Sequence, residues 1–339
     1  MIEKKIEIII ITFNRDKYLD DTLKQLLNSP FSKCKFTIIN NHSTDNTYNV
    51  CNKYEKLFPN FNVITNKLNI GGNANILRAV ETSQSLYTWI LADNDNFDFS
   101  NCEDLINAIN SEEFDIILTC SIGVFNPNRK TISEKLKEYD INYGINSKNC
   151  LKTNTMHILD VVEAEYFHAL SFIPATIFKT EKWDSECLIE GYDNIPNMYP
   201  HFPFIVKSLE ENFSVYKTKD EIIHGMENPN STYTSLKWLN SWLKSSLIIK
   251  DPKLRERSIN KFYATDSFLI MVIGCIITGK SMDNTNFKNQ IITTLALLKE
   301  VKGIIKGLGY GIIVIIISMF PQKLCKKIFN KIGRKKLNK

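Results

Sequence analysis

The sequence predicts an α/β fold: a doubly wound, mostly parallel sheet followed by a helical C-terminal extension. Three observations carry this expectation. Over residues 1–95, short apolar runs with no helical stripe alternate with amphipathic segments, a β-α-β-α-β-α-β order with short connections. Each run ends in a polar loop, and right-handed crossovers bring those loops to one edge of the sheet. Beyond residue 226 the pattern is helical and apolar, closing on a basic tail.

Taken in order, Ile6–Ile11 is an apolar strand interrupted only by Glu7, and it ends in Thr12-Phe13-Asn14-Arg15. Leu19, Leu23, Leu26 and Leu27 give residues 16–28 a helical stripe. Phe36–Ile39 is the second strand and runs into Asn40-Asn41-His42-Ser43-Thr44-Asp45, where Ser43 and Asp45 suit the cap of the next helix. That helix carries Val50, Cys51, Tyr54 and Leu57 on one stripe. Phe61–Thr65 is the third strand, and the loop 66–75 holds Gly71-Gly72, which permit positive φ and close approach of a ligand to the backbone. Ile76, Leu77 and Val80 mark the third helix. The fourth strand, Leu86–Leu91, stops abruptly at Asp93-Asn94-Asp95.

Two carboxylates that close repel one another and call for a positive partner. Their hard oxygens suit Mg²⁺ or Mn²⁺, and the carboxyl end of a strand in an open α/β sheet is where ligands bind. A solvated Asn/Asp turn is the plain alternative for that tripeptide taken alone. Thr12–Arg15 offers backbone N–H groups, an amide and a guanidinium fitted to a base edge and a diphosphate. Asn41 can give bidentate amide hydrogen bonds to a base such as uracil.

Later segments are less periodic. Leu105, Ile106 and Ile109 mark a helix, and Asp115–Cys120 a strand. Residues 125–157 form a polar, Asn- and Lys-rich insertion. Ser171–Phe178 reads as a strand, Tyr199–Leu209 as a helix begun near Pro203, and Phe213–Lys217 as a further strand. Glu190 and Asp193 fall in a loop around Gly191. Asp220, Glu221 and His224 form a second ionisable cluster, whereas His42, His157 and His168 have no comparable setting. Leu236, Leu239, Leu243 and Leu247, with Trp238 and Trp242, define an amphipathic helix, and Phe268–Ile277 is of core-helix length. Gly307–Phe320 is apolar throughout but shorter than the about 20 residues needed to cross a bilayer.

Composition sets the outer bounds. The 339 residues are 43% hydrophobic and 23% charged, enough for a full core and more than one sub-domain. We divide the chain into a binding half (1–100), an acceptor half (101–225) and a helical region (226–339). Eight cysteines without a C-x-x-C pair argue against a zinc ribbon or disulfide framework and for reduced cytosolic thiols. Met1-Ile-Glu-Lys-Lys lacks the pattern of a secretory signal. The net charge of +5 conceals an asymmetry: 321–339 carry eight Lys/Arg and no acid, leaving the rest at −3. Charge confined to a tail fits a membrane surface rather than a nucleic acid.

In order and content, Thr12-Phe13-Asn14-Arg15, Ile39-Asn40-Asn41-His42-Ser43-Thr44-Asp45, Asn69-Ile70-Gly71-Gly72 and Asp93-Asn94-Asp95 resemble the nucleotide-sugar-binding half of family 2 glycosyltransferases, which have the GT-A fold. The resemblance implies an inverting transfer from a UDP-, dTDP- or CDP-sugar to a glycan or lipid-linked acceptor in bacterial lipopolysaccharide or capsule synthesis, at the cytoplasmic face of the inner membrane. It implies donor contacts from Thr12, Phe13, Asn14, Arg15, Asn40, Asn41, Asn69, Gly71, Gly72 and Asp93, and an Mg²⁺ or Mn²⁺ site at Asp93 and Asp95 with His224 approaching. The family often has Asp at the place of Asn40, so a different nucleobase is implied. Where the family often carries an E-D pair with Asp as base, this chain has Tyr199-Pro200-His201, which some sugar transferases of the family resemble. His201 is then the first candidate base, since its pKa lies near neutrality, followed by Glu190 and Asp193.

Two rivals remain. A sugar-nucleotide nucleotidylyltransferase would need a glycine-rich loop after the first strand, and Thr12–Arg15 has no glycine. A degenerate, membrane-docked nucleotide-sugar-binding protein is kept open by Asn40 and the missing E-D pair. No G-x-G-x-x-G follows the first strand, which argues against a dehydrogenase.

Overall fold

The computed structural model describes residues 1–119, 155–159, 170, 172–219, 222–224, 235–260, 268, 272–277, 286–321 and 324. Most of the polar insertion, His168, Asp220, Glu221 and nearly all of the basic tail lie outside these residues.

The first hundred residues alternate as expected: β1 (Ile6–Thr12), α1 (Asp16–Leu27), β2 (Lys35–Asn40), α2 (Thr47–Glu55), β3 (Phe61–Thr65), α3 (Gly72–Thr82) and β4 (Tyr87–Ala92). There follow β5 (Asn96–Phe97), α4 (Glu103–Ser111), β6 (Ile116–Leu118), β7 (Thr155–His157), β8 (Thr176–Lys179), α5 (Ser185–Asp193), α6 (Phe202–Glu210), β9 (Ser214–Lys217) and β10 (Ile223–His224). The helical region contributes α7 (Ser235–Ser246), α8 (Pro252–Asn260), α9 (Phe287–Lys302) and α10 (Ile304–Met319).

The main sheet runs β3-β2-β1-β4-β8-β6-β9-β7. β1 pairs in parallel with β2 and β4, and β2 with β3, so the C-terminal ends of these four strands share one edge. β1 and β4 sit centrally and are buried on both faces, which is why they read as largely apolar runs. Helices α1, α2 and α4 cover one face through Leu19, Leu23, Cys51, Tyr54 and Leu105. Helices α3 and α6 cover the other through Leu77, Val80, Phe202 and Ile205. Glu7, the one charge in β1, is buried. It is matched by Lys35 at 3.0 Å and Thr37 Oγ1 at 2.6 Å, so its charge is compensated within the fold.

The structure corrects two local expectations. Ser171–Phe178 is not one strand: a 3₁₀ turn at Ile173–Ala175 precedes β8, and Pro174, which has no N–H to give a ladder, instead accepts from Trp89 Nε1 at 2.8 Å. β8 also runs antiparallel to both β4 and β6. Glu190 and Asp193 lie on helix α5, not in a loop. Gly191 faces α3 so closely that a Cβ would meet Leu77 Cδ2 at 2.8 Å and the Pro200 carbonyl at 3.1 Å, so here glycine provides helix contact rather than a turn.

In the helical region α7, α9 and α10 share a third cluster through Leu239, Leu243, Leu298 and Val314. Trp242 of α7 belongs to the sheet's own core and packs edge-on against Phe202 (5.1 Å between centroids) and Tyr199 (5.6 Å), fastening this region to α6. Among the described residues no helix is long and apolar enough to cross a membrane.

Candidate functional site

At the shared edge, Asp93 follows β4 and is buried. Thr12, the last residue of β1, donates through Oγ1 to Asp93 Oδ2 at 2.7 Å, and Arg15 Nη1 meets Oδ1 at 2.6 Å. Thr22 of α1 donates to the Asp93 carbonyl at 3.0 Å, and Arg15 also reaches Asn94 Oδ1 at 3.1 Å. Burial pushes the Asp93 carboxyl above its ordinary value, against the opposing pull of Arg15 and Thr12. The cation that the paired carboxylates call for is, for Asp93, supplied by the chain itself. Arg15, expected at a diphosphate, is thus committed to a protein carboxylate.

The first two loops are bound to each other. Asn14, at φ 51°, accepts from Thr44 N at 2.7 Å, while its own N–H donates to Ser43 Oγ at 2.9 Å. Asp45 accepts from Asp16 N and Thr47 N, each at 3.0 Å. Burial pushes the Asp45 carboxyl up, but the hydrogen bonds from Thr47 and Asp16 outweigh it and hold the group below its ordinary value. It therefore joins the starts of α1 and α2. Phe13 is exposed beside this junction.

Asn40 and Asn41 are both buried. Asn40 Oδ1 accepts from Ser43 N at 2.9 Å. Asn41 Oδ1 accepts from Asn66 Nδ2 at 2.9 Å and Ile70 N at 3.0 Å, and its Nδ2 donates to Asn69 Oδ1 at 2.8 Å. The bidentate base contact expected of Asn41 is therefore corrected: its acceptor is already spent twice, on holding the next loop. Asn66 also donates to Asn75 Oδ1 at 2.8 Å, and Asn69 accepts from Gly71 N at 2.9 Å. Gly71, at φ 83°, needs to be glycine, whereas Gly72 opens α3 in ordinary helical geometry. Both have open space where a Cβ would stand. Thr22, Asn66, Asn73 and Asn75 were not singled out from sequence; the density of asparagine over 66–75 was the available signal.

Asp95 is buried, and its Oδ2 accepts from Ala92 N at 3.3 Å, folding the turn back on β4. Antiparallel pairing of β10 with β5 sets His224 opposite Asn96, the residue after Asp95. This register brings together two segments that sequence related only by resemblance. Among the described residues no group of three or more His, Cys, Asp or Glu forms a ready metal cage. The hard oxygens at this turn nevertheless fit Mg²⁺ or Mn²⁺ in their usual mode, with one or two carboxylates and the remaining positions left to water and substrate phosphates.

The three candidate bases differ in burial. His201 precedes α6 and is only 5% exposed. It lines a small pocket with Thr176, Trp183, Phe204, Ile205 and Ser208. Glu190 is half-buried and Asp193 exposed, at the end of α5. The turn that follows is tied to the start of α3: Asn73 Nδ2 donates to the carbonyls of Ile195, at 2.7 Å, and Asn197. Asp193 therefore lies just before a turn fastened next to Gly71-Gly72.

Residues 7–164 match the profile described as Glycosyl transferase family 2. Over 239 residues the chain is 27% identical to the abequosyltransferase RfbV of Salmonella typhimurium, covering 66% of this chain and 65% of that protein. Over 66 residues it is 27% identical to an uncharacterized glycosyltransferase of Haemophilus influenzae, covering 20% of each. The matched spans thus amount to less than two thirds of either relative. Among solved structures, residues 1–349 of S. aureus TarS in complex with UDP-GlcNAc superpose with a TM-score of 0.58 at 14% identity, covering 88% of this chain and 81% of that one. The mannosyltransferase PcManGT of Pyrobaculum calidifontis, in complex with GDP-Man and Mn²⁺, gives 0.51 at 11% identity, covering 93% and 87%. The shared architecture is the GT-A fold.

Proposed function

We propose that this chain, whose residues 7–164 match the family 2 glycosyltransferase profile, is an inverting glycosyltransferase that moves a sugar from a nucleotide-sugar donor to a glycan or lipid-linked acceptor of the bacterial surface-polysaccharide type. The observation that carries the reading is the Asp93–Asp95 turn, held by Thr12 and Arg15 at the edge where the three other polar loops meet.

Donor binding falls to this edge. Gly71 and Gly72 leave room for the ribose or sugar, and Phe13 and Asn40 flank the base. Ser43 N–H occupies one lone pair of Oδ1, so the Asn40 amide is left with two N–H donors against one free acceptor position, which suits an acceptor at the base edge such as N3 of cytosine. Asp95, with Asp93 beside it, would hold Mg²⁺ or Mn²⁺, which when bound supplies positive charge to the departing diphosphate, and the β5–β10 register brings the backbone of His224 opposite the next residue, Asn96. The acceptor hydroxyl attacks the anomeric carbon in one in-line displacement. Its proton passes to a carboxylate of α5, with Asp193 ahead of Glu190, because a base must come within about 3 Å of that hydroxyl and His201 is buried whereas Asp193 is exposed. The apolar α10 and the basic tail support a peripheral position at the cytoplasmic face of the inner membrane.

Calorimetry with a panel of nucleoside diphosphates and Mn²⁺ tests this reading. One tight, metal-dependent binder is expected, and Asp95→Ala should lose that binding and sugar transfer with the fold retained in circular dichroism. Failure of every nucleotide to bind, with or without Mn²⁺, would overturn it. Tight binding with no turnover on any acceptor would favour the second reading, a nucleotide-sugar-binding protein.

A further inference from the structure

α10 turns an apolar stripe outward. Gly307, Gly311 and Val314 face inward, whereas Leu308, Ile312, Ile315, Ile316 and Met319 are all exposed. At 100° per residue these five side chains cover one continuous strip of the helix, on the flank away from its contact with α9. No charged residue stands between Lys306 and Lys323, so nothing in the strip interrupts it. Phe320 and Leu324 continue the exposed apolar surface past the helix end. A contiguous patch of this kind on a folded surface marks an interaction site rather than scatter.

The charge that follows identifies the partner. The residues after Phe320 carry eight Lys/Arg and no acid. An anionic bilayer offers acyl chains for the strip and headgroups for the tail on one surface, in the order the chain presents them. A second copy would supply the apolar half but would bring its own basic tail. The helix is too short to span, and its inner flank is occupied by α9. We propose that α10 lies in the plane of an anionic lipid surface, its Leu308–Ile312–Ile315–Ile316–Met319 strip sunk into the acyl boundary and the basic tail held at the headgroups. This deepens the transferase reading by naming the surface on which transfer takes place.

Sedimentation of the full chain with phosphatidylcholine vesicles, with and without phosphatidylglycerol, tests the proposal. Wild type should bind the anionic vesicles at least about tenfold more tightly than the neutral ones, and added salt should erode the difference. Ile312→Gln/Ile316→Gln changes two exposed residues without altering charge. It should weaken binding to anionic vesicles about tenfold or more at an unchanged melting temperature. Equal binding by variant and wild type, or no preference for anionic lipid, would overturn the proposal. So would a wild-type dimer in light scattering that the substitutions dissolve, if vesicles are not bound. Nucleotide binding in solution should be the same for both chains, so failure here leaves the transferase reading standing, and failure of nucleotide binding leaves this one.

Discussion

Arg15 Nη1 lies 2.6 Å from Asp93 Oδ1, closing a contact between the end of β1 and the end of β4 that Thr12 completes on the other oxygen. Asp93 is buried and the Arg15 side chain is 20% exposed, so removing Arg15 leaves the Asp93 carboxyl without its compensating charge. Arg15→Met should cost about 3–5 kcal/mol of stability, because it strands a buried charge. Asp93→Asn keeps the Thr12 bond and should cost less. The double variant should recover a large part of the Arg15→Met loss, and urea unfolding of the four chains measures that coupling.

Asn40 tests the reading of the base pocket. Asn40→Asp replaces an amide donor by an acceptor at the same place. Affinity for a cytidine diphosphate should fall about tenfold or more relative to a uridine diphosphate, which carries N–H at the corresponding ring position. Calorimetry with both nucleotides on both chains measures the shift. An unchanged ratio would remove Asn40 from base recognition.

Asn41 organises the neighbouring loop. Asn41→Ala removes an acceptor of two hydrogen bonds and a donor of one, leaving the Ile70 N–H without that acceptor and the Asn66 amide with only its bond to Asn75. A loss of about 2–3 kcal/mol in urea unfolding is expected, with weaker nucleotide binding as the Gly71 loop loosens. Wild-type stability would show that the amide cluster is replaced by water at no cost.

The candidate bases separate by kinetics. Asp193→Asn should lower kcat about 10²–10⁴-fold with nucleotide affinity unchanged. His201→Gln should act chiefly on thermal stability, since its side chain is buried. A large kcat loss in His201→Gln at wild-type stability would restore the order expected from sequence.

Asp184 caps α5 by accepting from Cys187 N at 2.9 Å and also meets Lys207 Nζ. These contacts, the cap bond foremost, hold its carboxyl below the ordinary value. Its folded pKa is depressed, so the stabilisation is present above the unfolded value and is lost as pH falls through the folded one. Asp184→Ala should cost about 1 kcal/mol at neutral pH, and the gap to wild type should narrow as pH drops below 4. Asp184→Asn, which can still cap, should retain most of the stability but show less of the acid dependence. Thermal melts across pH 2–7 measure both.

The order of the first four strands was legible because it rests on local signals: apolar runs such as Ile8–Ile10 and Trp89–Leu91, and the stripe of Leu19, Leu23 and Leu26 between polar loops. The same signals exposed the apolar helix near residue 310 and the charge of the tail. Those features depend on neighbours within one turn or one pleat, so the sequence by itself determined them. It also determined that four polar loops lie on one edge, since the crossover hand leaves no other arrangement. Which atoms at that edge are spent was decided only in three dimensions. Asn41 is taken by residues 25 to 29 positions away, Asp93 by Arg15 across two strands, and His201 is closed in by β8 and α6. The antiparallel entry of β8 and the pairing of His224 with Asn96 belong to the same class. Each is a contact between distant parts of the chain, and hydrogen-bond capacity is consumed by whichever partner the packed fold brings within 3 Å or so, a choice that no local pattern encodes.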